Sequence, residues 1–468
     1  MRPSDQRPAQ ADAPRGKGRP RIMETAGPSL ADILNLVRIE RATTRQEIER
    51  TSEFSRAVVA DRLGTLTELG LVDESESGIA TGGRAPRLVR FAAERGRILV
   101  AALDQTALGV GIADLSGRLL LEHHEAADLT APAATICDRL VTLFRWILDR
   151  QAAGVQLWGI SLSVPGTVPG TVPGIADTHF LDHTPPILPS WESFAFVETL
   201  MQRFNVPVWM RSSVETMTMG ELFVGAGAGL QTMLFIKVGK RIGAGLVIDG
   251  KLYRGAQGAT GLIGSLPVQG ADRIGTLDAM AGSEMIAQEG RAAAERGSSP
   301  VLADIQRRGG EVNALDVAHA AQMGDAAAIE ILSQSGRLIG QVVATLANTL
   351  NPEIIVLSGS IAQTNDILLA AVREAVYGAS HPSVTRDLRI LRSQLGASAG
   401  LAGAAMVATE AIFAQAYLRD WVMLGTPVAH PAFVQLAARI NTMRGPAPQQ
   451  IQPPAQTLVQ TLTQTLAM

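Results

Sequence analysis

Hydrophobic residues recur at helical spacing in three short segments near the start of the chain, and this pattern predicts three helices. The segments are residues 30–41, 45–51 and 55–69. On the first segment Ile33, Leu34 and Val37 share the inward face. Five hydrophobic residues of the other two segments and the turn between them are spaced to form a small core: Ile48, Phe54, Val58, Leu63 and Leu66.

Polar residues indicate where these helices begin and which face of the third one is exposed. Thr44, followed by Glu47, has the spacing of a capping box and predicts that the second helix begins after it. Ser55 is placed to cap the third helix in the same way. With the predicted core facing inward, four residues of the third helix point outward: Arg56, Val59, Ala60 and Arg62.

Two short strands follow the third helix, at residues 71–73 and 87–90, and a glycine-rich loop joins them. This order is typical of a winged helix-turn-helix domain, whose recognition helix enters the major groove of DNA. Residues 28–92 are therefore predicted to form an α+β DNA-binding domain. A helical module that binds another protein is the alternative that this pattern leaves open.

Eight residues of this domain are candidates for contact with double-stranded DNA: Thr44, Arg45, Ser55, Arg56, Val59, Arg62, Gly83 and Arg84. The arginines on the third helix can pair with guanine or with phosphate, and any single one is more often a phosphate contact. Arg84 lies in the glycine-rich loop at residues 78–86, where it can reach a minor groove or the sugar-phosphate backbone.

From residue 97 the pattern changes to buried strands that alternate with amphipathic helices. Strands in hairpin order are predicted at residues 98–122 and again at 233–248. Each hairpin is followed by helical segments and further buried strands, such as residues 157–164 and 353–358. Because the same order occurs twice, residues 97–414 are predicted to form a duplicated α/β domain.

The two ends of the chain lack this periodicity. Residues 1–27 are polar and rich in Pro, Arg and Ala, which predicts a disordered tail. Residues 415–468 are predicted to form a C-terminal extension that is partly disordered, because residues 446–468 are rich in Gln, Pro and Thr.

Composition and charge narrow the functions that this organisation allows. A formal net charge of −3 argues against a protein that binds nucleic acid through bulk charge. Residues 1–92 hold 15 Lys and Arg against 13 Asp and Glu, whereas the remaining residues hold 26 against 31. The single cysteine, Cys137, excludes an intrachain disulfide framework and favours a reducing, cytoplasmic location. No segment is predicted to enter a membrane.

Six segments occur in an order that resembles the ROK family of repressors and sugar kinases. They are residues 55–59, 159–166, 242–245, 258–264, 350–359 and 400–405. The resemblance implies an actin-like ATPase fold, two lobes around a cleft, and a homodimer or homotetramer. The sequence as a whole predicts a DNA operator and a small, sugar-like effector as partners, and no cofactor.

The residues that ROK kinases use for chemistry are mostly replaced in this chain. The kinase Asn-Asp pair, whose Asp is the catalytic base, corresponds to Ser212 and Ser213. A serine without assistance cannot act as a general base at neutral pH. The Glu-x-Gly-His element corresponds to residues 262–265, so that Leu262 and Ser265 replace a carboxylate and a zinc-binding histidine. The cysteine-rich zinc loop is absent, and Asp278 alone keeps a carboxylate near the expected pocket.

The glycines of the two kinase phosphate-binding loops are also largely missing. The first loop, Asp-x-Gly-Gly-Thr in kinases, corresponds to residues 104–107, and the second to residues 239–243, where Lys240 and Arg241 stand. The sequence therefore predicts a transcriptional regulator, a repressor, that has no catalytic residues and no metal site. Its candidate effector-binding residues are Ser212, Ser213, Leu262, Ser265 and Asp278. They indicate either a remodelled pocket for a less hydroxylated effector or a vestigial cleft that serves only dimerisation. A sugar kinase with an appended N-terminal domain and a protein-binding scaffold are the alternatives.

Overall fold

The computed structural model describes residues 21–74, 87–104, 107–151, 154–166, 195–270 and 273–444. The predicted wing loop with Gly83 and Arg84, residues 1–20 and residues 446–468 lie outside the described residues. The described residues form two compact units. The winged unit contains the residues up to Ala92 together with Gln415–Gly425, and the two-sheet unit contains Ala93–Ala414 together with the residues from Thr426 onward.

The winged unit begins with three helices and a short antiparallel strand pair. Their bounds are α1 Arg21–Arg38, α2 Arg45–Ser52, α3 Arg56–Glu68, β1 Val72–Asp73 and β2 Arg90–Phe91. The first helix begins earlier than the sequence predicts, so that residues 21–27 are helical and do not belong to the tail. Ile33, Leu34 and Val37 are buried as predicted.

The inward face of α3 differs by one residue from the predicted one. Val59, Leu63 and Leu66 are buried, whereas Val58 is only half-buried. Val59 therefore belongs to the core, and its prediction as an outward DNA contact is wrong. Val59 precedes Leu63 and Leu66 by four and seven residues, which places the three on one stripe, whereas Val58 precedes them by five and eight. The helical period itself therefore favours Val59 as the inward residue.

Arg62 also differs from its predicted outward position. Its Nε donates a hydrogen bond to Ser29 Oγ of α1 at 2.8 Å, and its side chain is only 14% exposed. Its Nη1 is bonded to the Asp61 carboxylate. Arg62 thus holds α3 against α1, because the position after the exposed Asp61 turns back towards the first helix.

The first half of the two-sheet unit is a five-stranded mixed sheet with two helices. The elements are β3 Gly96–Asp104, β4 Ala107–Ala113, β5 Leu119–Ala126, α4 Ala133–Leu148, β6 Gln156–Val164, α5 Phe196–Phe204 and β7 Val208–Ser212. The strand order is β5-β4-β3-β6-β7, with an antiparallel hairpin on one side and parallel β3, β6 and β7 on the other. The apolar face of α4 packs into the core of this sheet, as the spacing of Ile136, Leu140 and Ile147 predicts.

The second half begins with a helix and a second hairpin of strands, followed by a long helical segment. These elements are α6 Ser213–Val224, β8 Met233–Val238, β9 Ile242–Ile248, β10 Lys251–Tyr253, β11 Pro267–Gln269, β12 Ile274–Thr276, α7 Leu277–Ala281, α8 Ser283–Glu295, α9 Pro300–Arg307, α10 Ala314–Gln322 and α11 Ala326–Leu350. The predicted helical segment at 312–350 is divided into α10 and α11 because Gly324 adopts a positive φ of 86° and Asp325 caps α11.

The remaining elements of this half complete a sheet of the same design. They are β13 Ile354–Ser358, α12 Ser360–Thr364, α13 Asp366–Ala379, α14 Pro382–Thr385, β14 Arg389–Arg392 and α15 Ala399–Ile412. The order β10-β9-β8-β13-β14 again has an antiparallel hairpin followed by parallel strands. The predicted fold class, a duplicated α/β domain of the actin-like type preceded by a winged helix-turn-helix, is confirmed.

Helices α6 and α15 cross at very short range, and this contact fixes where α6 begins. A Cβ atom at Gly403 of α15 would lie 1.5 Å from the backbone oxygen of Thr216, so only glycine fits there. Ser163 Oγ of β6 also lies 2.6 Å from Thr216 Oγ1. The N-terminal turn of α6 is thereby held against the first sheet while the rest of the helix packs on the second.

After α15 the described residues form two further helices, and the disorder predicted for residues 446–468 lies outside the described residues. Helix α16, Gln415–Trp421, belongs to the winged unit, where Tyr417, Leu418 and Trp421 are buried. The Asn35 side chain of α1 donates to Gln415 Oε1 at 3.3 Å. Helix α17, Pro431–Arg444, instead packs in the core of the first sheet through Leu436 and Ile440.

The longest described helix is α11, with 25 residues. Among the described residues, no single helix is both long and apolar enough to cross a membrane, and α15 reaches that length and composition only when the segment after it is counted with it.

Cys137 provides an intrinsic probe of unfolding. Its side chain is 1% exposed on α4, and burial raises the pKa of the thiol to about 12. We expect the native protein to resist labelling by a thiol reagent at pH 8 and to react with one equivalent when it unfolds in urea. Rapid labelling without denaturant would contradict the buried position of this helix face.

Candidate functional site

The turn between α2 and α3 is shaped by polar caps at the start of each helix. Glu47 Oε2 accepts hydrogen bonds from the backbone N–H groups of Thr43 at 2.8 Å and Thr44 at 3.1 Å, and these bonds lower the pKa of its carboxyl group. Thr44 caps α2 in return, which completes the predicted capping box. Helix α2 ends at Glu53 in the left-handed conformation, and Ser55 caps α3.

The exposed surface at the start of α3 combines one cation with small side chains. Its exposed residues are Ser55, Arg56, Ala57, Ala60, Asp61 and Gly64. Small residues allow the helix backbone to approach a partner closely, and Arg56 extends from the first turn. Within the described part of the winged unit, Arg56 forms no ion pair. The structure therefore leaves Arg56 exposed on the first turn of α3, whereas the hydroxyl of Ser55 caps the helix through the N–H of Val58.

Arg45 has a structural partner that the sequence does not predict. Its guanidinium binds Glu74 through two bonds, from Nε to Oε1 at 3.1 Å and from Nη2 to Oε2 at 2.6 Å. The hydrogen bond to Glu74 raises the pKa of Arg45. This pair ties the first turn of α2 to the residue that follows β1, and a DNA contact by Arg45 would have to compete with it. Gly83 and Arg84 of the wing are not among the described residues.

Ser212 and Ser213 lie together at the N-terminus of α6, where the carboxyl end of β7 meets the helix. Ser212 is the N-cap, and its Oγ accepts the backbone N–H of Glu215 at 3.2 Å. Ser213 Oγ accepts a hydrogen bond from Lys237 Nζ at 3.2 Å. The side chain of Ser212 is therefore committed to the helix, whereas that of Ser213 faces the end of β8.

Lys237 connects the two sheets at this point. Its Nζ lies 3.4 Å from Asp104 Oδ2, so a residue at the end of β8 is paired with the last residue of β3. The Lys237 side chain is 13% exposed and that of Asp104 is 54% exposed. Beside this pair, Arg254 Nε donates to Glu215 Oε1 at 2.5 Å, and Glu215 Oε2 accepts the Ser212 N–H.

The other three predicted effector residues form a second group beside β9. Asp278 Oδ1 accepts the Ile242 N–H at 2.6 Å, and a Cβ atom at Gly264 would lie 2.0 Å from that same oxygen. The carboxylate thus supports the loop before β9. Leu262 and Ser265 are exposed on the segment that leads to β11.

Both groups contact β9, although no direct bond joins them among the described residues. Val214 of α6 packs against Gly243, and the N–H of Ala244 donates to the backbone oxygen of Gly261 at 2.8 Å. Lys240, in the loop before β9, is exposed and lies 4.0 Å from Glu284. The cations of this loop thus remain at the surface, and the cation nearest the predicted base position is Lys237.

Three residues of this cleft are absent from the sequence prediction: Lys237, Glu215 and Arg254. The sequence does contain an indication that Lys237 is functional, because it is the only charged residue in the strand Met233–Val238. A lysine in an otherwise buried strand is costly unless a partner or a ligand compensates its charge. For Glu215 the sequence indicates only a capping role, as the third residue of the box that begins at Ser212. No local sequence pattern indicates a role for Arg254.

A model of the ROK family matches residues 103–411. The chain is 23% identical to a xylose repressor of Bacillus spizizenii over 368 residues, which is 78% of this chain and 91% of the repressor. It is 31% identical to a glucokinase of Halalkalibacterium halodurans over 271 residues, covering 55% of this chain and 79% of the kinase.

Among solved structures, a ROK family transcriptional regulator described as a homologue of the Escherichia coli Mlc protein has the same fold. It superposes with a TM-score of 0.69 at 20% sequence identity and covers 86% of this chain and 99% of the regulator. The repressor matches thus extend over more of this chain than the glucokinase match does.

Proposed function

This chain belongs to the ROK family, and from that premise we propose that it is a transcriptional repressor with a non-catalytic effector domain. The winged unit would bind a DNA operator, and the cleft between the two sheets would hold a small effector. The observation that supports this most strongly is the exposed start of α3, with Arg56 and small neighbours, on a compact unit of its own.

The groups around Ser213 support a non-catalytic domain. Phosphoryl transfer to a sugar needs a base that takes the proton of the attacking hydroxyl. Ser213 stands at that position, and the ammonium group beside it is a donor that cannot accept a proton. The carboxylate of Asp104 is already paired with the same ammonium, and that of Glu215 is paired with Arg254.

We propose that two copies of the chain bind a palindromic operator in the cytoplasm, as a homodimer or as part of a tetramer. Helix-turn-helix dimers read two half-sites about one helical turn apart, so their spacing decides affinity. An effector in the cleft would change that spacing by favouring one arrangement of the two sheets. It can shift the equilibrium only as far as its affinities for the two arrangements differ.

The test is a selection of genomic DNA fragments by the purified protein at two salt concentrations. We expect enrichment of one palindromic site, with binding that weakens steeply as salt rises because phosphate contacts release counterions. Absence of sequence-selective enrichment at both salt concentrations would contradict the proposal. Salt-insensitive binding of a protein partner would favour the scaffold alternative.

The glucokinase relative supports a kinase as the second candidate. The same preparation can be assayed for ATP turnover with glucose and with xylose. Sugar-dependent turnover that disappears in Asp104→Asn would establish the kinase, because Asp104 is the carboxylate left beside the position of the missing base. We expect no turnover above the rate without sugar.

A further inference from the structure

The two sheets have the same design but differ at their hairpin edges. In the second sheet the edge strand β10 has three residues, whereas in the first sheet the edge strand β5, Leu119–Ala126, has eight. The described residues that pair with the backbone of β5 all belong to β4. A long edge strand presents a row of backbone donors and acceptors to which a further strand can bind.

The opposite edges of the two sheets are closed. On β14, the outward carbonyl oxygens of Leu388 and Ile390 accept hydrogen bonds from two side chains of α13, from Tyr377 Oη at 3.0 Å and from Arg373 Nη2 at 2.7 Å. All five residues of β7 are buried. No side chain of the described residues bonds the backbone of β5 in this way, so the long edge of the first sheet is left open within that part of the chain.

The charged side chains of β5 are held on the two faces of the sheet. On one face, Glu125 accepts two hydrogen bonds from Arg139 of α4, at 2.8 and 2.6 Å. On the other face, Ser398 Oγ donates to Glu122 Oε1 at 2.9 Å, and His124 Nε2 lies 3.5 Å from Glu122 Oε2. The strand contains neither lysine nor proline, which proteins commonly use to block pairing at an edge.

The exposed side chains of β5 are complementary to themselves in one antiparallel register. They are Leu120, Glu122, His124 and Ala126. With His123 opposite His123 of a second copy, each Glu122 lies opposite a His124, and each Leu120 lies opposite an Ala126. A shift of the centre by one residue would place Glu122 opposite Glu122 or His124 opposite His124. Opposite charges across a strand pair stabilise it and like charges destabilise it, so the register centred on His123 is favoured.

We propose that β5 of one copy pairs antiparallel with β5 of a second copy around His123, so that the first sheets of the two copies become one continuous sheet. The inference rests on the proposed assembly of two copies and assigns a contact to it. The occupant of this edge is a second copy of the chain because the exposed row of β5 matches itself.

The first test is sedimentation of the full chain without DNA from about 1 to about 100 μM, a range that covers a micromolar Kd. We expect the mass to rise with concentration. Glu122→Lys should weaken association about tenfold or more, because two attractive cross-strand pairs become repulsive. The double variant Glu122→Lys/His124→Glu exchanges the charges and should restore association. Glu374→Lys, which makes the same charge change at an exposed residue of α13, should associate as the natural chain does.

The second test uses a short bifunctional maleimide. His123→Cys places two thiols opposite each other in the proposed pair, with Cβ atoms about 5 Å apart, and should give crosslinked dimers. Thr142→Cys, on an exposed position of α4, is the control and should give none. The natural Cys137 is buried and does not contribute.

Four results would overturn the inference: a mass that does not change with concentration, equal association of Glu122→Lys and the natural chain, no recovery in the double variant, or no crosslink in His123→Cys. If Glu122→Lys does not fold, the crosslink decides alone. Because neither test uses DNA, their failure leaves operator binding through another contact intact, and failed operator selection leaves the strand pairing intact.

Discussion

Replacing Arg56 with alanine is expected to weaken operator binding about 10- to 100-fold without unfolding the winged unit. An arginine that contacts guanine or phosphate contributes about 1–3 kcal/mol to binding, and tenfold in affinity corresponds to about 1.4 kcal/mol. Arg56 is exposed and supports no described contact within its unit, so its removal should not change stability. The measurement is fluorescence anisotropy with the selected duplex.

A matched control is Arg296→Ala, which removes an exposed arginine at the end of α8 in the two-sheet unit. The affinity of the Arg296→Ala variant for the operator should equal that of the natural chain. The salt dependence separates two roles of Arg56: loss of a phosphate contact reduces the salt slope by about one and affects all sequences, whereas loss of a base contact relaxes selectivity at one position. Unchanged affinity in Arg56→Ala would remove α3 as the recognition helix.

Trp421→Ala is expected to destabilise the winged unit by about 3–5 kcal/mol, the usual cost of truncating a buried aromatic residue. Trp421 is fully buried in α16, and this helix packs on α1, which in turn supports α3 through Ser29 and Arg62. Operator binding should fall with the stability of the unit even though Trp421 lies more than 350 residues after α3 in the sequence.

Hydrogen exchange resolves this effect because it reports each unit separately, whereas a single unfolding midpoint does not describe a chain with two units. Amides of α1, α2 and α3 should exchange faster in Trp421→Ala, and those of β3 and β8 should not change. The control is Leu424→Ala in the same segment, where the side chain is 50% exposed. Equal protection of α1 in both variants would show that α16 contributes nothing to the winged unit.

The hydrophobic periodicity within short segments is sufficient to predict most of the helices and strands of this fold, because each element shows its own period of hydrophobic residues. The hairpin predicted at residues 233–248 is present as β8 and β9, and α4 has the predicted inward face. The inward face of α3 is predicted with Val58 in place of Val59, although Val59 has the helical spacing of four and seven residues to Leu63 and Leu66. The inward turn of Arg62 is different, because its partner Ser29 lies on α1 and a local pattern contains no information about a neighbouring helix.

Contacts between distant parts of the chain explain what the sequence did not predict. The tie between Asn35 and Gln415 spans 380 positions, so nothing near either residue indicates that α16 completes the winged unit. In the cleft, resemblance located Ser212 and Ser213 at a helix start, but it gave no reason to place Lys237 beside them. Contacts such as that between Lys237 and Ser213 form only in the tertiary structure, so no local sequence pattern predicts them.

The most direct test of the central claim is the affinity of the natural chain for the selected palindrome and for a scrambled duplex of the same composition, at one fixed salt concentration. A sequence-specific repressor should bind the palindrome at least about 1,000-fold more tightly. Equal affinity for the two duplexes would contradict the account, because it would reduce DNA binding to charge alone and leave the exposed start of α3 without a role in reading sequence.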